Sequence, residues 1–325
     1  GNYLYRVAGV GINIEGDNWI VEDNEICHGI NVHTVTGEDT GGDVDAIRFF
    51  GTGHIIRNNY LHDYLNIECR YEPHMDAFQT FSVYPQSQYA NNILIERNFC
   101  YNFGQMLMSE DQSEEAGTGN AVHHVTFKNN VFWKCRAYAI IVSIDYFTFI
   151  HNTVAEPTYG CLTLSRLAHH ATVLDNIFYK PSSGPVLSDE EAQVGSVWDY
   201  NLHYPDFTWP PKVAKYDSNG IFGQDPRFNN PDSGDFRPMA GSPACRAASD
   251  GGDIGALECI GCENDFPIAY FWMDKDYGYE PLTVNFDGSL SLACGDSIVD
   301  YHWDFGDGYS ACLLYTSPSP RDLST

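Results

Sequence analysis

Two short stretches of this chain carry the same chemistry-bearing pattern. Asp45-Ala46-Ile47-Arg48-Phe49 and Asp76-Ala77-Phe78-Gln79-Thr80 share an aspartate, an alanine, an apolar residue and a polar one, in that order. Asp43 precedes the first and His74 the second, with Arg70, Tyr71 and Glu72 just upstream of His74. Two carboxylates held close together repel unless a cation bridges them or one keeps its proton. A hard divalent cation with oxygen ligands is one solution, and a shared proton suited to acid–base work is the other. For the first, Asp43, Asp45, Asp76 and Asp111 are the expected Ca²⁺ ligands. A single aspartate commonly caps a turn through backbone N–H groups and does nothing more. The repetition is what singles these out.

The elements that would position them are legible from a second repeat. Asparagine followed by an apolar or aromatic pair returns at Asn24, Asn59, Asn98, Asn130, Asn152 and Asn176, with a weaker copy at Asn201. The intervals between the first six are 35, 39, 32, 22 and 24 residues. A period in the low twenties, built of short strands and turn residues, marks a solenoid. Alternating apolar residues before each Asn, as in Ile93-Leu-Ile-Glu-Arg-Asn, give the period-2 signal of a half-buried strand. The Asn suits a left-handed turn position, and its amide can bond the Asn above and below at about 4.8 Å. The last two intervals are bare rungs. The first three carry surplus residues, and such loops tend to hold function. In a parallel coil Ile47 then stacks on Phe78 in the core, Arg48 on Gln79 outside, and Asp45 on Asp76.

On these features the chain resembles the right-handed parallel β-helix proteins of the pectate-lyase-like kind, many of which process polysaccharides. The resemblance covers roughly residues 8–258. Its most specific part is Asp225-Pro-Arg-Phe-Asn-Asn-Pro-Asp-Ser-Gly-Asp-Phe-Arg-Pro-Met-Ala-Gly-Ser-Pro-Ala, ending in Gly252-Asp-Ile-Gly-Ala-Leu-Glu258, similar to a closing segment of secreted bacterial members. Further on, Trp303-Asp-Phe-Gly-Asp-Gly308 resembles a polycystic-kidney-disease-type (PKD) module, an immunoglobulin-like β-sandwich. The expected organisation is a β-helix over 1–258, a linker over 259–266, a partial PKD-type domain over 267–311, and a tail over 312–325 that looks like translated adapter sequence. The fold class is all-β.

The resemblance implies a polysaccharide substrate and two kinds of cleavage. β-Elimination needs a base beside a uronate carboxyl, and no lysine precedes Lys128. The bases left in the inserts are Arg48, Arg70, His74 and Tyr71. Arg48 is the best placed, yet a guanidinium stays protonated without unusual help and equally suits a substrate carboxylate. Inverting hydrolysis would set Asp45 or Asp76 against Glu110 or Asp111, with carboxyl groups roughly 6.5–9.5 Å apart, about two rungs. The candidate catalytic residues are therefore Arg48, Asp76, His74 and Glu110. Arg70, Gln79, Tyr84, Tyr89 and Gln112 are candidate substrate-binding residues, the two tyrosines for stacking on sugar rings. A third reading is a non-catalytic adhesin or carbohydrate-binding surface protein whose aspartates are turn caps. Glu110, Asp111 and Gln112 are expected on the same face as Asp45. His123-His124 and His62-Asp63 are expected to be packed or turn residues.

Composition narrows the partners. A net charge of −27, from 17 basic and 44 acidic residues, argues against nucleic acid or an anionic membrane. It fits a secreted or cell-surface protein, although solubility alone accounts for it equally well. There is no run of 18 apolar residues and so no expected membrane span. The chain opens mid-pattern at Gly1-Asn-Tyr-Leu, read as a mature or truncated end, and a monomer is expected. Of ten cysteines, Cys27, Cys100 and Cys135 fall at rung positions that suit core packing, and Cys259-Ile-Gly-Cys262 is a lone CxxC.

Overall fold

The computed structural model describes residues 1–30, 43–65, 74–83, 88–111, 121–165, 168–182, 186–188, 194–206 and 217–260, with shorter pieces (272–273, 284–288, 291, 300–304 and 310–312) beyond. The chain divides into two units, Gly1–Cys259 and Ile260–Thr325. The first is a parallel β-helix whose coils each visit three sheets in turn.

A seven-stranded sheet holds Ile12–Ile14, Ile47–Phe49, Asp76–Ser82, Gln105–Asp111, Ile140–Val142, Leu162–Leu164 and Val186–Ser188. The eight-stranded sheet follows, its main path running from Ile20–Glu22 through Ile55–Arg57, Ala90–Glu96, Val122–Lys128, Thr148–Ile150 and Thr172–Leu174 to Val197–Asp199. Each coil then enters a nine-stranded sheet that begins Tyr3–Tyr5, Glu25–Cys27, Tyr60–His62, Phe99–Phe103 and Val131–Cys135. Inward positions stack like on like, so Ile56, Ile95, Phe127, Phe149 and Val173 form one buried column.

Between the eight- and nine-stranded sheets every coil turns in two residues, the second of which is the repeated Asn. The side-chain oxygen of each such Asn accepts the backbone N–H and a side-chain N–H of the Asn one coil earlier, at 2.8–3.2 Å. The ladder starts at Asn2, one coil before the first that the repeat revealed. It ends at Asp217, whose carboxylate accepts both N–H groups of Asn201 and faces His203 Nε2 at 2.8 Å. The left-handed residue is not the Asn. It is the residue before it: Asp23, Asn58, Arg97, Asn129, His151, Asp175 and Tyr200 have φ of 50–59°. The Asn is needed for its amide, and the cost of a left-handed residue, about 1–2 kcal/mol, falls on a neighbour of varied type.

The segment after the last coil does not simply close its end. Phe228–Asn230 and Asp235–Pro238 pair antiparallel, and Phe228, Phe236, Ala244, Ala248 and Ile254 pack on Val131, Trp133, Ala155, Ile177, Tyr179 and Leu202. The segment thus covers the outer face of the later coils of the nine-stranded sheet. Ser249 fastens it to Asp175 through its N–H and hydroxyl, both at 2.6 Å, and Cys245 and Cys259 form a disulfide. The three cysteines expected to be packed are all buried; Cys100 and Cys135 join the main core cluster, whereas Cys27 lies outside it on the outward-facing side of its strand. In the second unit the described strands are two antiparallel pairs, Trp272–Met273 with Phe286–Asp287 and His302–Asp304 with Ser310–Cys312.

Replacing a central ladder residue should be costly. Asn130→Ala removes the acceptor for two Asn98 donors in a fully buried corner; at about 1–3 kcal/mol per orphaned group, urea unfolding should show a loss of about 3 kcal/mol. Asn2→Ala, at the exposed end of the ladder, should cost under ~1 kcal/mol.

Candidate functional site

Consecutive coils bring the repeated stretches into register. Ile47 pairs with Phe78 and Arg48 with Gln79, which places Asp45 and Asp76 at equivalent positions one rung apart, about 4.8 Å by strand spacing. The Ala46 N–H donates to the Asp76 carbonyl at 2.9 Å and fixes that step. Ile47 and Phe78 lie in the core. Both carboxyl groups are fully buried, at 0% exposure, so they lie beneath the surface and not on an open groove floor.

Arg48 and Gln79 cover them. Arg48 Nε and Nη2 donate to Asp45 Oδ2 at 3.0 and 2.5 Å, and Nη2 also reaches Asp43 Oδ2 at 3.3 Å. The guanidinium lies over the Phe81 ring, 5.4 Å from its centroid. Gln79 Nε2 donates to Asp43 Oδ2 and to Asp76 Oδ2, each at 3.2 Å. His74 stands at the rim, its side chain 73% exposed, with Nδ1 3.5 Å from Asp43 Oδ1. The accessible groups are therefore His74, Asp43 and part of Arg48.

Burial raises the Asp45 carboxyl from 3.8 to about 7, with Arg48 pulling the other way. Burial, then the charges of Asp45 and Asp43, push Asp76 well above the usual carboxylate range, and its Gln79 bond and Arg48 only partly offset them. Both shifts favour a proton on the pair near neutral pH. Asp45 Oδ1, Asp76 Oδ1, Gln79 Oε1 and Thr80 Oγ1 are buried without a hydrogen-bond partner, an expensive arrangement for a merely structural corner.

A calcium ion needs six to eight converging oxygens. Among the described residues, the groups of three or more Asp, Glu, His or Cys whose ligand atoms lie within 4.8 Å of one another are Glu25–Cys27–His62 and Cys245–Asp253–Cys259. Asp43, Asp45 and Asp76 do not form such a group. The N–H donors of Arg48 and Gln79 sit between their carboxylates, so an organic cation and an amide already occupy the bridging position. As arranged, these residues do not fit Ca²⁺.

Glu110 and Asp111 do not join the cluster. Gln105 pairs with Asp76, whereas Glu110 pairs with Phe81 and Asp111 with Ser82. Five residues of strand separate Glu110 from the Asp76 level, roughly 16 Å at about 3.3 Å each. The expected separation of about two rungs from Asp45 is thus not found. The reason is which corner carries the surplus: in the first coil it lies before the seven-stranded sheet, in the second it is divided between the two sides of the strand, and in the third it lies after it. Asp111 Oδ2 accepts the N–H groups of Ala121 and Val122 at 3.0 and 2.9 Å, where the chain returns from that third insert. Tyr89 is exposed at the far end of the 76–82 strand's coil. Phe103 is core, stacked on Tyr64, and Tyr101 lies on the nine-stranded sheet against Trp133. Arg70, Tyr71, Glu72, Tyr84 and Gln112 lie outside the described residues.

Two groupings were not anticipated. His124, Tyr146 and His170 occupy successive left-handed positions, and their rings stack at 4.6 and 4.5 Å. His62 meets Glu25 as well as Asp63. The first follows from counting positions relative to the ladder Asn, which puts His124, Tyr146 and His170 in one column; the second is diagonal, since Glu25 pairs with Tyr60 and Cys27 with His62. A cleft of about 650 Å³ lies elsewhere, lined in part by Arg97, Lys128, His151 and Arg237, and contains none of the expected site residues. Compared with known proteins, the chain matches no family model and no curated protein.

The buried pair makes stability depend on pH. A carboxyl whose folded value is raised supports the fold fully below its unfolded value and loses that support as pH climbs, here from 3.8 to about 7 for Asp45. Unfolding free energy should fall between pH 5 and pH 8. Asp76→Asn, which keeps the shape without the charge, should reduce that fall by about 1–2 kcal/mol in urea titrations at the two pH values. An unchanged slope would refute a shared proton.

Proposed function

We propose that the β-helix unit is a carbohydrate-active enzyme of the pectate-lyase-like kind, cleaving an acidic polysaccharide by β-elimination outside the cell. The observation that carries this is the placement of Arg48 by Asp43 and Asp45 beside the exposed His74. Arg48 donates three hydrogen bonds to carboxylates, so it is a held cation and a poor base. The exposed imidazole of His74, held by Asp43, offers a ring nitrogen that can take a proton.

His74 Nε2 takes the proton on the carbon next to the uronate carboxyl, and Asp43 orients the ring and steadies the imidazolium. Arg48 meets the uronate carboxylate and stabilises the charge that builds on it as the carbon gives up its proton. The electron pair forms the new carbon–carbon double bond, the bond to the departing sugar oxygen breaks, and that oxygen takes a proton from the imidazolium or from water. Asp45 and Asp76 touch no substrate in this scheme. They are positioning residues, and a proton retained on either lessens the negative charge that a polyanion meets. The Trp303-Asp-Phe-Gly-Asp-Gly308 stretch supports a PKD-type accessory in the second unit, with Phe286 against Trp303 at 5.7 Å.

Incubation with a panel of polyuronates and neutral polysaccharides tests this. On a polyuronate the ultraviolet absorbance of the unsaturated product should rise, and a chelator should not stop it. Arg48→Ala should lower kcat/KM by about 10²–10³-fold and His74→Ala by about 10²–10⁴-fold. New reducing ends without that absorbance would mean hydrolysis. Glycan retention with neither signal would mean a binding protein.

A further inference from the structure

We propose that Glu25, Cys27 and His62 form a site for one divalent transition-metal ion of the zinc class, on the outer face of the nine-stranded sheet. The site lies on a different sheet from the Arg48–His74 cluster and does not depend on the activity proposed there. Glu25 and Cys27 flank the core residue Ile26, so both point outward, and Cys27 pairs with His62 on the next coil. Their ligand atoms all lie within 4.8 Å of one another, with His62 Nε2 3.1 Å from Glu25 Oε1. Ligand atoms at about 2.0–2.3 Å from a tetrahedral zinc stand a little over 3 Å apart, so small adjustments would close the site.

The surroundings are those of a metal-binding histidine. The other ring nitrogen, Nδ1, faces Asp63 Oδ2 at 2.9 Å, and Asp63 Oδ1 accepts from Asn102 Nδ2 at 2.9 Å. A carboxylate behind a histidine fixes its tautomer and aims the free nitrogen at the metal. The Tyr60 ring stacks on His62 at 4.1 Å and holds its plane.

Cys27 is buried but stands apart from the main core column. Cys100, one coil on from Leu61, belongs to the core, whereas Cys27 is outward-facing and still only 1% exposed. The Tyr3 hydroxyl, 3.7 Å from its sulfur, is the hydrogen-bonding neighbour above it. A sulfur, an imidazole and one carboxylate select zinc or a similar ion over calcium or magnesium, and three protein ligands leave a fourth position open. The later coils of this face are covered by the C-terminal segment. The Cys27 coil is not among them.

The test uses the full chain, treated with chelator and kept without reductant so that the Cys245–Cys259 disulfide stays closed. Titration calorimetry with zinc chloride alone should show one ion per chain. Cys27→Ser and His62→Gln should each weaken it at least ~100-fold, and Asp63→Asn by about 10–100-fold. Cobalt(II) should give a thiolate-to-metal absorption band that Cys27→Ser abolishes, while His124→Gln leaves binding unchanged. Absence of binding, zinc binding that survives both ligand substitutions, or cobalt binding without a thiolate band would overturn the proposal. Circular dichroism and melting of the metal-free variants show whether they fold. If Cys27→Ser does not, Asp63→Asn and the cobalt spectrum of the parent chain decide.

Discussion

Every coil of this protein has to return to the same corner, because the amide of one asparagine is the hydrogen-bond partner of the next. That constraint allows only two residues between the eight- and nine-stranded sheets, whatever the length of the coil. Variation is pushed to the other two corners, which flank the seven-stranded sheet. There the first long coil carries its surplus before that sheet, the third after it, and the second on both sides. The ladder bears no chemistry itself, yet it decides where chemistry can be built.

Stacking at the strand spacing turns a sequence repeat into a spatial pair. Asp45 and Asp76 become neighbours because Ile47 and Phe78 must share the core, and burial then decides their ionisation. Two buried negative charges so close would be prohibitive. The structure answers with a guanidinium and an amide, and the raised carboxyl values favour a retained proton. The same logic shapes the nine-stranded sheet. Where the C-terminal segment covers it, the outward columns are apolar or aromatic, as with Val131, Trp133 and Ile177. On earlier coils those columns hold Glu25, Cys27, Tyr60 and His62, and polar partners replace packing.

Much of this was legible in the sequence, for a physical reason. Ladder asparagines and alternating apolar residues are local patterns, so the solenoid, its register and the pairing of Arg48 with Gln79 could be read directly. The left-handed turn was assigned to the Asn because its type tolerates that conformation. The structure gives it to the preceding residue, since Asn is required for its side chain. Glu110 was misplaced because the length of an insert does not say which corner carries it. Burial of Asp45 was not legible either, as it depends on Arg48 and Gln79 folding over the pair. His62 looked like half of a turn pair with Asp63, because Glu25, 37 residues earlier, is invisible to local reading.

Stacking and burial should leave a carboxyl group protonated at neutral pH beneath Arg48. Infrared difference spectroscopy measures this directly, through the carbonyl stretch of a protonated carboxylic acid. Such a band is expected at pH 7 in the parent chain, fading as pH rises through and above neutrality, and altered or lost in Asp76→Asn. A parent spectrum with no protonated carboxylic acid above pH 5 would contradict it.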